Sequence, residues 1–208
     1  MRKNWIFIFI LFSTSLIAQV RLDKPEIYVG VTAGATGSMV IFNPVVAQTY
    51  LQGYNGGLVF RYIAEKNVGM QAELNFSQRG WKEANGLFTK QLNYIELPFL
   101  THIYMGKKNR FFINLGPKIS YLLSEKVLVN GTTNSTETQQ TTAVQNAFDY
   151  GLCGGIGFLF NIKGNQLQLD TRAYYALSDI YSNNKKDYFD NSNNANLSVN
   201  LAWLIQIK

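Results

Sequence analysis

The chain has 208 residues, of which 47% are hydrophobic, 14% aromatic and only 15% charged, with a formal net charge of +6. An average soluble domain carries roughly 25% charged residues. One Cys excludes a disulfide framework and a Cys-rich zinc site, one His gives no basis for a His-based metal centre, and a small scattered basic excess lacks the footprint of a nucleic-acid binder. The length allows one domain, or at most two small ones.

The first residues, MRKNWIFIFILFSTSLIAQ, combine Arg2 and Lys3, an apolar run from Trp5 to Phe12, and small residues up to Ala18. A basic start, a short apolar middle and a small residue at the cut describe a secretory signal. The apolar run is too short for a bilayer core of roughly 30 Å. Cleavage is expected after Ala18, which makes residues 1–18 a signal peptide and 19–208 a single barrel domain. The lone Cys is Cys153, so the signal is not of the lipoprotein kind. Loss of Arg2 and Lys3 leaves 17 basic and 13 acidic residues, a net charge of +4.

The remainder alternates at period two, the mark of strands with unlike faces. Glu26 to Thr36 is the first strand, with Ile27, Val29, Val31, Ala33 and Ala35 on one face; a loop containing NPVVAQ follows. Tyr54 to Ala64 is the second, with Leu58, Phe60 and Tyr62 opposite Asn55, Gly57 and Arg61, though Val59 and Ile63 blur the pattern. Asn67 to Trp81 is the third and cleanest, with Val68, Met70, Ala72, Leu74 and Phe76 opposite Gln71, Glu73, Asn75, Ser77 and Arg79. GWKEANGLFTK reads as a loop, and Gln91 to Tyr104 as the fourth strand, where Glu96, Pro98 and His102 share a face. Pro98 has no amide donor and marks a bulge or an unpaired point. Arg110 to Leu123 is the fifth strand, and the polar run NGTTNSTETQQTTAVQN after it reads as a long exposed loop. Phe148 to Phe160, Gln166 to Leu177 and Ala195 to Lys208 complete eight strands, the last two separated by the polar loop SDIYSNNKKDYFDNSNN.

Globular strands average roughly five or six residues, whereas a tilted bilayer-spanning strand needs roughly nine to eleven. Eight strands of spanning length without helical periodicity predict an all-β fold, an eight-stranded antiparallel up-and-down transmembrane β-barrel. Three observations place the apolar rows outside. The opposing rows are rich in Gly, Asn and Gln, which suits a narrow lumen. Connections near Glu65, Lys107 and Lys163 are short, while those after the first, third, fifth and seventh strands read as long, as in membrane barrels. Aromatics gather at both strand ends: Tyr62, Tyr104, Phe111, Phe160 and Trp203 near the short turns, and Tyr54, Trp81, Tyr121, Phe148 and Tyr175 near the long loops. Hydrocarbon offers amides no water, so the first and last strands should pair. The alternating Trp203, Ile205 and Ile207 at the end resemble the signal read by barrel-insertion machinery.

The stretches YNGGLVFRY, VGMQAELNFSQRGW, NYIELPFLTHI, FFINLGPKISYLL and DYGLCGGIGF resemble the PorT-like outer-membrane β-barrel family of Bacteroidota, from about Glu26 to Lys208. YIELPFL at Tyr94 to Leu100 and LGP at Leu115 to Pro117 are the most specific parts. The resemblance implies an eight-stranded barrel in the outer membrane of a Gram-negative bacterium. It assigns no general molecular role, and one namesake branch is linked to protein secretion and gliding.

The polar rows carry Arg61, Glu73, Glu96, Lys118, Asp170 and Arg172. These could line a pore; a salt-bridged filling of the lumen is the favoured reading, because eight-stranded barrels are filled by side chains and paired charge lowers the cost of burial. His102 with Glu96 is the one possible catalytic pair, but it lies at the short-turn end, so no enzyme activity is expected. Asp187 and Asp190 could hold Ca²⁺, yet lack EF-hand spacing, and a solvated loop is favoured. GLCGGIG (Gly151 to Gly157) continues a strand and opens no helix, so it is no nucleotide loop; it makes room for large lumen neighbours, and Cys153 is a small filler. No cofactor is expected. The partners expected are the outer-membrane lipid bilayer, the insertion machinery, and an extracellular or protein partner at the long loops, with the chain a monomer and no nucleic acid bound. The alternatives are a narrow channel or secretion-associated component, a soluble lipocalin-like binder, and a lipid-modifying enzyme using His102.

Overall fold

A computed structural model describes residues 21–129, 141–183 and 188–207. The expected signal at residues 1–18, residues 130–140 of the polar run, Asp187 and Lys208 lie outside the described residues. The strands are β1 (Arg21–Asn43), β2 (Gln48–Thr49), β3 (Leu51–Glu65), β4 (Val68–Glu83), β5 (Phe88–Met105), β6 (Asn109–Val129), β7 (Phe148–Ile162), β8 (Asn165–Asp179) and β9 (Asn191–Gln206). Apart from the two-residue β2, which pairs with β4, all are long and antiparallel to both neighbours. The sheet closes on itself: β1 pairs with β9 from Tyr28↔Gln206 to Asn43↔Asn191, so the chain's first and last strands leave no free edge. The turn between β7 and β8 is two residues, Lys163 and Gly164, with φ of 53° and 89°. Positive φ at both central residues is the tight-hairpin geometry that matches strand twist.

The apolar rows point outward. Val31, Leu58, Met70, Phe99, Leu115, Ile156, Leu169 and Leu201 are exposed on successive strands around the ring. Their sequence neighbours Thr32, Gln71, Asn114, Asp170 and Asn200 are buried inside it. An apolar outer surface on every strand is stable only against lipid.

The interior is not uniformly polar. At the short-turn end Tyr28, Val59, Ile63, Tyr104, Phe112, Leu159 and Leu204 form an apolar floor. Val59 and Ile63, which blur the alternation of their strand, are therefore lumen residues. At the opposite end Val40, Phe42, Trp81, Phe88, Leu92, Tyr94, Ile180, Tyr181 and Phe189 form an apolar roof. Two residues expected in the outer aromatic girdles thus turn inward. Trp81 has the parity of Glu73 and Arg79, and Tyr104 that of Glu96 and His102; strand geometry leaves no other direction. Tyr54, Tyr62, Tyr121, Phe148, Phe160, Tyr175 and Trp203 do face outward.

A further correction concerns GWKEANGLFTK. The strands continue through it, with Trp81↔Lys90 and Lys82↔Thr89 paired, and the connection is only residues 84–87. Alternation persists here because Trp81, Phe88 and Lys90 fill the barrel mouth. The result is a hairpin arm rather than a loop.

Two outcomes follow. Leu201→Arg on the outer wall should destabilise the folded barrel by about 2–4 kcal/mol, read by denaturant unfolding in lipid vesicles; a neutral effect would mean that this row meets water. Trp81→Ala should cost about 3–5 kcal/mol in the same assay, whereas a girdle residue facing lipid would lose far less.

Candidate functional site

Between floor and roof, the strands aim charged and amide side chains at one another across the axis. All six residues expected in the lumen are buried there: Arg61, Glu73, Glu96, Lys118, Asp170 and Arg172. They fall into two nests rather than one cluster.

In the lower nest, Arg61 Nη1 donates to Gln166 Oε1 at 2.6 Å, its Nε donates to Gln71 Oε1 at 2.9 Å, and Nη2 also reaches Gln168. Gln71 donates in turn to Glu73. Arg172 Nη1 lies 2.7 Å from Glu73 Oε2, and its Nε lies 2.5 Å from Asp170 Oδ2. Asn75 donates to Glu73 at 2.8 Å, and Gln168 to Asp170 at 2.7 Å. Gly155 and Gly157 make this possible: a Cβ at Gly155 would sit 2.7 Å from Arg172 Cγ, and one at Gly157 2.7 Å from Phe112 Cζ.

The upper nest is built around Glu96, whose carboxylate meets Lys118 Nζ at 3.0 Å and Arg79 Nε at 3.1 Å. Arg79 Nη1 continues to Asp149 Oδ2 at 2.9 Å. Asp149 also accepts from Tyr174 at 3.1 Å and from Ser178 at 2.6 Å. The Arg79 guanidinium lies 4.0 Å from the centre of the Tyr94 ring, and Lys118 Nζ lies 3.6 Å from that of Tyr174. Arg79 and Asp149 are absent from the expected six, although both are charged and lie on inward rows.

Each nest holds two cations and two carboxylates: Arg61, Arg172, Glu73 and Asp170 below, and Arg79, Lys118, Glu96 and Asp149 above. Each is formally neutral, which limits the cost of taking charge out of water. A cavity of about 30 Å³ lies between them, lined by residues that include Glu73, Asn75, Glu96, Lys118 and Arg172. It is polar and water-sized. Asn75 Oδ1 and Asn196 Oδ1, both on its lining, have no protein partner.

His102 does not meet Glu96. Its Nδ1 lies 2.7 Å from Asn114 Oδ1, and its ring packs 5.1 Å from Phe112 and 5.7 Å from Tyr104, centre to centre. The imidazole is a buried part of the floor. Cys153 packs with Leu100, Tyr174 and Ala176. Asp190 accepts from Asn43 at 3.4 Å, and among the described residues no His, Cys, Asp and Glu group is arranged to hold a metal.

The roof is sealed by loop residues. Phe189 packs 4.6 Å from Phe42, and Phe42 meets Trp81 edge-on at 5.4 Å. Lys90 Nζ lies 3.2 Å from Glu125 and donates to the Thr142 carbonyl and to Tyr181. Burial, reinforced by the Glu125 charge, pushes the Tyr181 hydroxyl above its ordinary range, so it stays neutral.

A family model described as an outer membrane protein beta-barrel domain matches residues 17–182. No curated protein matches the sequence. Among solved structures the chain is similar to Ail, the attachment invasion locus protein of Yersinia pestis, at 15% identity over 86% of this chain and 98% of that one, with a TM-score of 0.46. Neisserial surface protein A is similar at 11% identity, 86% and 98% coverage and a TM-score of 0.47. The outer membrane enzyme PagL is similar at 14% identity, 85% and 99% coverage and a TM-score of 0.43. At these identities and scores the likenesses carry nothing about activity. The match spanning most of the chain, on a closed ring of eight long strands with an apolar exterior, makes this protein a member of the outer membrane protein β-barrel domain family, resident in the outer membrane of a Gram-negative bacterium.

Proposed function

We propose that the lumen is a structural filling and that the protein acts through its outer wall and extracellular rim, as a membrane scaffold or surface-interaction module, without enzyme activity. The observation that carries this reading is the pair of neutral nests closed by an apolar floor and an apolar roof. An ion crossing the barrel would have to break charge-assisted bonds in both nests and pass two layers packed mainly with apolar and aromatic side chains. His102 held against Asn114, away from Glu96, supports the reading without catalysis, since the sequence offered that pairing for it. The alternating outward Trp203, Ile205 and Ile207 support recognition by insertion machinery, and the residues that resemble the PorT-like outer-membrane β-barrel family of Bacteroidota support membership of that family. The signal-like segment at residues 1–18 supports export before insertion, and full closure by the chain's own strands supports a monomer.

Purified protein reconstituted in planar bilayers should give no steady unitary conductance; stable conductance steps would replace this reading with that of a narrow channel. Arg172→Met leaves Glu73 and Asp170 without their shared cation and should cost about 3–5 kcal/mol in vesicle unfolding. A change below about 1 kcal/mol would mean that bulk water already solvates those carboxylates.

A further inference from the structure

Outside the lumen, a groove of about 440 Å³ opens at the extracellular rim between the β6–β7 and β8–β9 connections. Ligand sites run from about 300 to 1,000 Å³. Its lower wall is the outward pair Phe148 and Tyr150 on β7, with ring centres 6.1 Å apart. Its upper wall is polar: Gln145, Asn146, Ser178, Asp179 and Asn183.

The groove is held open by its own bonds. Gln145 N and Asn146 N both donate to Ile180 O at 3.1 Å, which docks one connection on the other. Asn146 Nδ2 donates to Asp179 O at 2.9 Å, Asn183 Nδ2 to Asp179 Oδ2 at 3.3 Å, and Gln145 Oε1 accepts from Ser182 N at 2.5 Å. Tyr150 N donates to Ser178 Oγ at 3.0 Å, which ties the aromatic wall to the polar one. Each amide is anchored at one end. Gln145 Nε2, Asn146 Oδ1 and Asn183 Oδ1 are left outside these bonds, a donor and two acceptors on exposed side chains. A preformed site of this kind loses little ordering entropy on binding.

We propose that this groove binds an uncharged saccharide. Sugar hydroxyls donate and accept at once, as an array of mixed amide groups requires. The apolar face of a pyranose fits against aromatic rings, which present flat apolar area at low entropic cost. Asp179 is the one charged side chain among the described lining residues. Its oxygens already accept from Ser192 N at 2.5 Å and from Asn183 Nδ2, so its part is the negative charge, which repels phosphate or sulfate. An acyl chain would strand the amides, so lipid tails do not fit. Two sources carry this chemistry, the sugars of an outer-leaflet glycolipid and a free oligosaccharide. The proposal rests on the reading that the rim, not the lumen, is the working surface.

The test uses the full barrel in phosphatidylcholine nanodiscs and saturation-transfer NMR with maltose and N,N′-diacetylchitobiose as probes. Transfer to ring protons of at least one sugar is expected, with binding weakened about tenfold or more in a Tyr150→Ala/Asn183→Ala double variant. Both positions are exposed, so an unchanged amide spectrum confirms that the variant is folded. No transfer to either sugar, equal binding by the variant, or binding only of a sulfated disaccharide would overturn the proposal. Nanodiscs carrying lipopolysaccharide separate the sources. Loss of the free-sugar signal there identifies outer-leaflet glycolipid as the occupant, and an unchanged signal identifies soluble sugar. Conductance reports on the lumen independently, so silent bilayers without sugar transfer remove this inference alone.

Discussion

A peptide group inside hydrocarbon has no water to turn to, so each spanning strand must find its amide partners in its neighbours. The rest of the molecule answers that constraint. Strands of 15 residues and more give the sheet its height, and pairing of β1 with β9 removes the edge that an open sheet would expose. Once the ring is closed, period-two alternation leaves only two destinations for a side chain, lipid or lumen. Leu58, Met70, Leu115, Ile156 and Leu201 take the first, and Arg61, Glu73, Asn114, Asp170 and Asn200 the second.

An eight-stranded ring is too narrow for bulk water and too polar inside to be packed like an oil core. The solution here is layered: an apolar floor, a neutral four-charge nest, a water-sized gap, a second neutral nest and an aromatic roof. Neutrality within each nest matters, because an ion left alone in such surroundings costs several kcal/mol. Amides extend the charge pairs sideways, as Gln71 links Arg61 to Glu73 and Gln168 links Arg61 to Asp170. Replacing buried ion pairs by apolar residues is often neutral or stabilising, so the nests explain how the lumen is closed better than they explain why the barrel is stable. Stability comes from strand pairing and the outer wall.

Much of this was legible from alternation alone. The eight long strands, the inside and outside rows and the inward direction of the nest charges, Arg79 and Asp149 included, all follow from parity, because a residue's face is decided by its position in the strand. What parity could not convey was height along the barrel axis. Val59 and Ile63 look like exceptions until the short-turn end is known to have an apolar floor. Trp81 and Tyr104 carry the composition of girdle residues but the parity of lumen residues, and parity prevails. Arg79 and Asp149 come together from strands 70 positions apart, and only barrel closure shows that they meet. The hairpin arm from Gly80 to Lys90 reads as a loop because Gly80, Asn85 and Gly86 punctuate it, whereas its strands stay paired and its inward side chains fill the mouth.

The most direct measurement is of which methyl groups touch lipid. In protein with selectively protonated methyls, reconstituted in protonated lipid, Leu115, Leu152 and Leu201 should show cross-relaxation with acyl-chain methylenes, and Leu100, Leu159 and Leu204 should show none. The reverse pattern, with the second set in contact with lipid and the first set silent, would contradict the orientation on which every other feature depends.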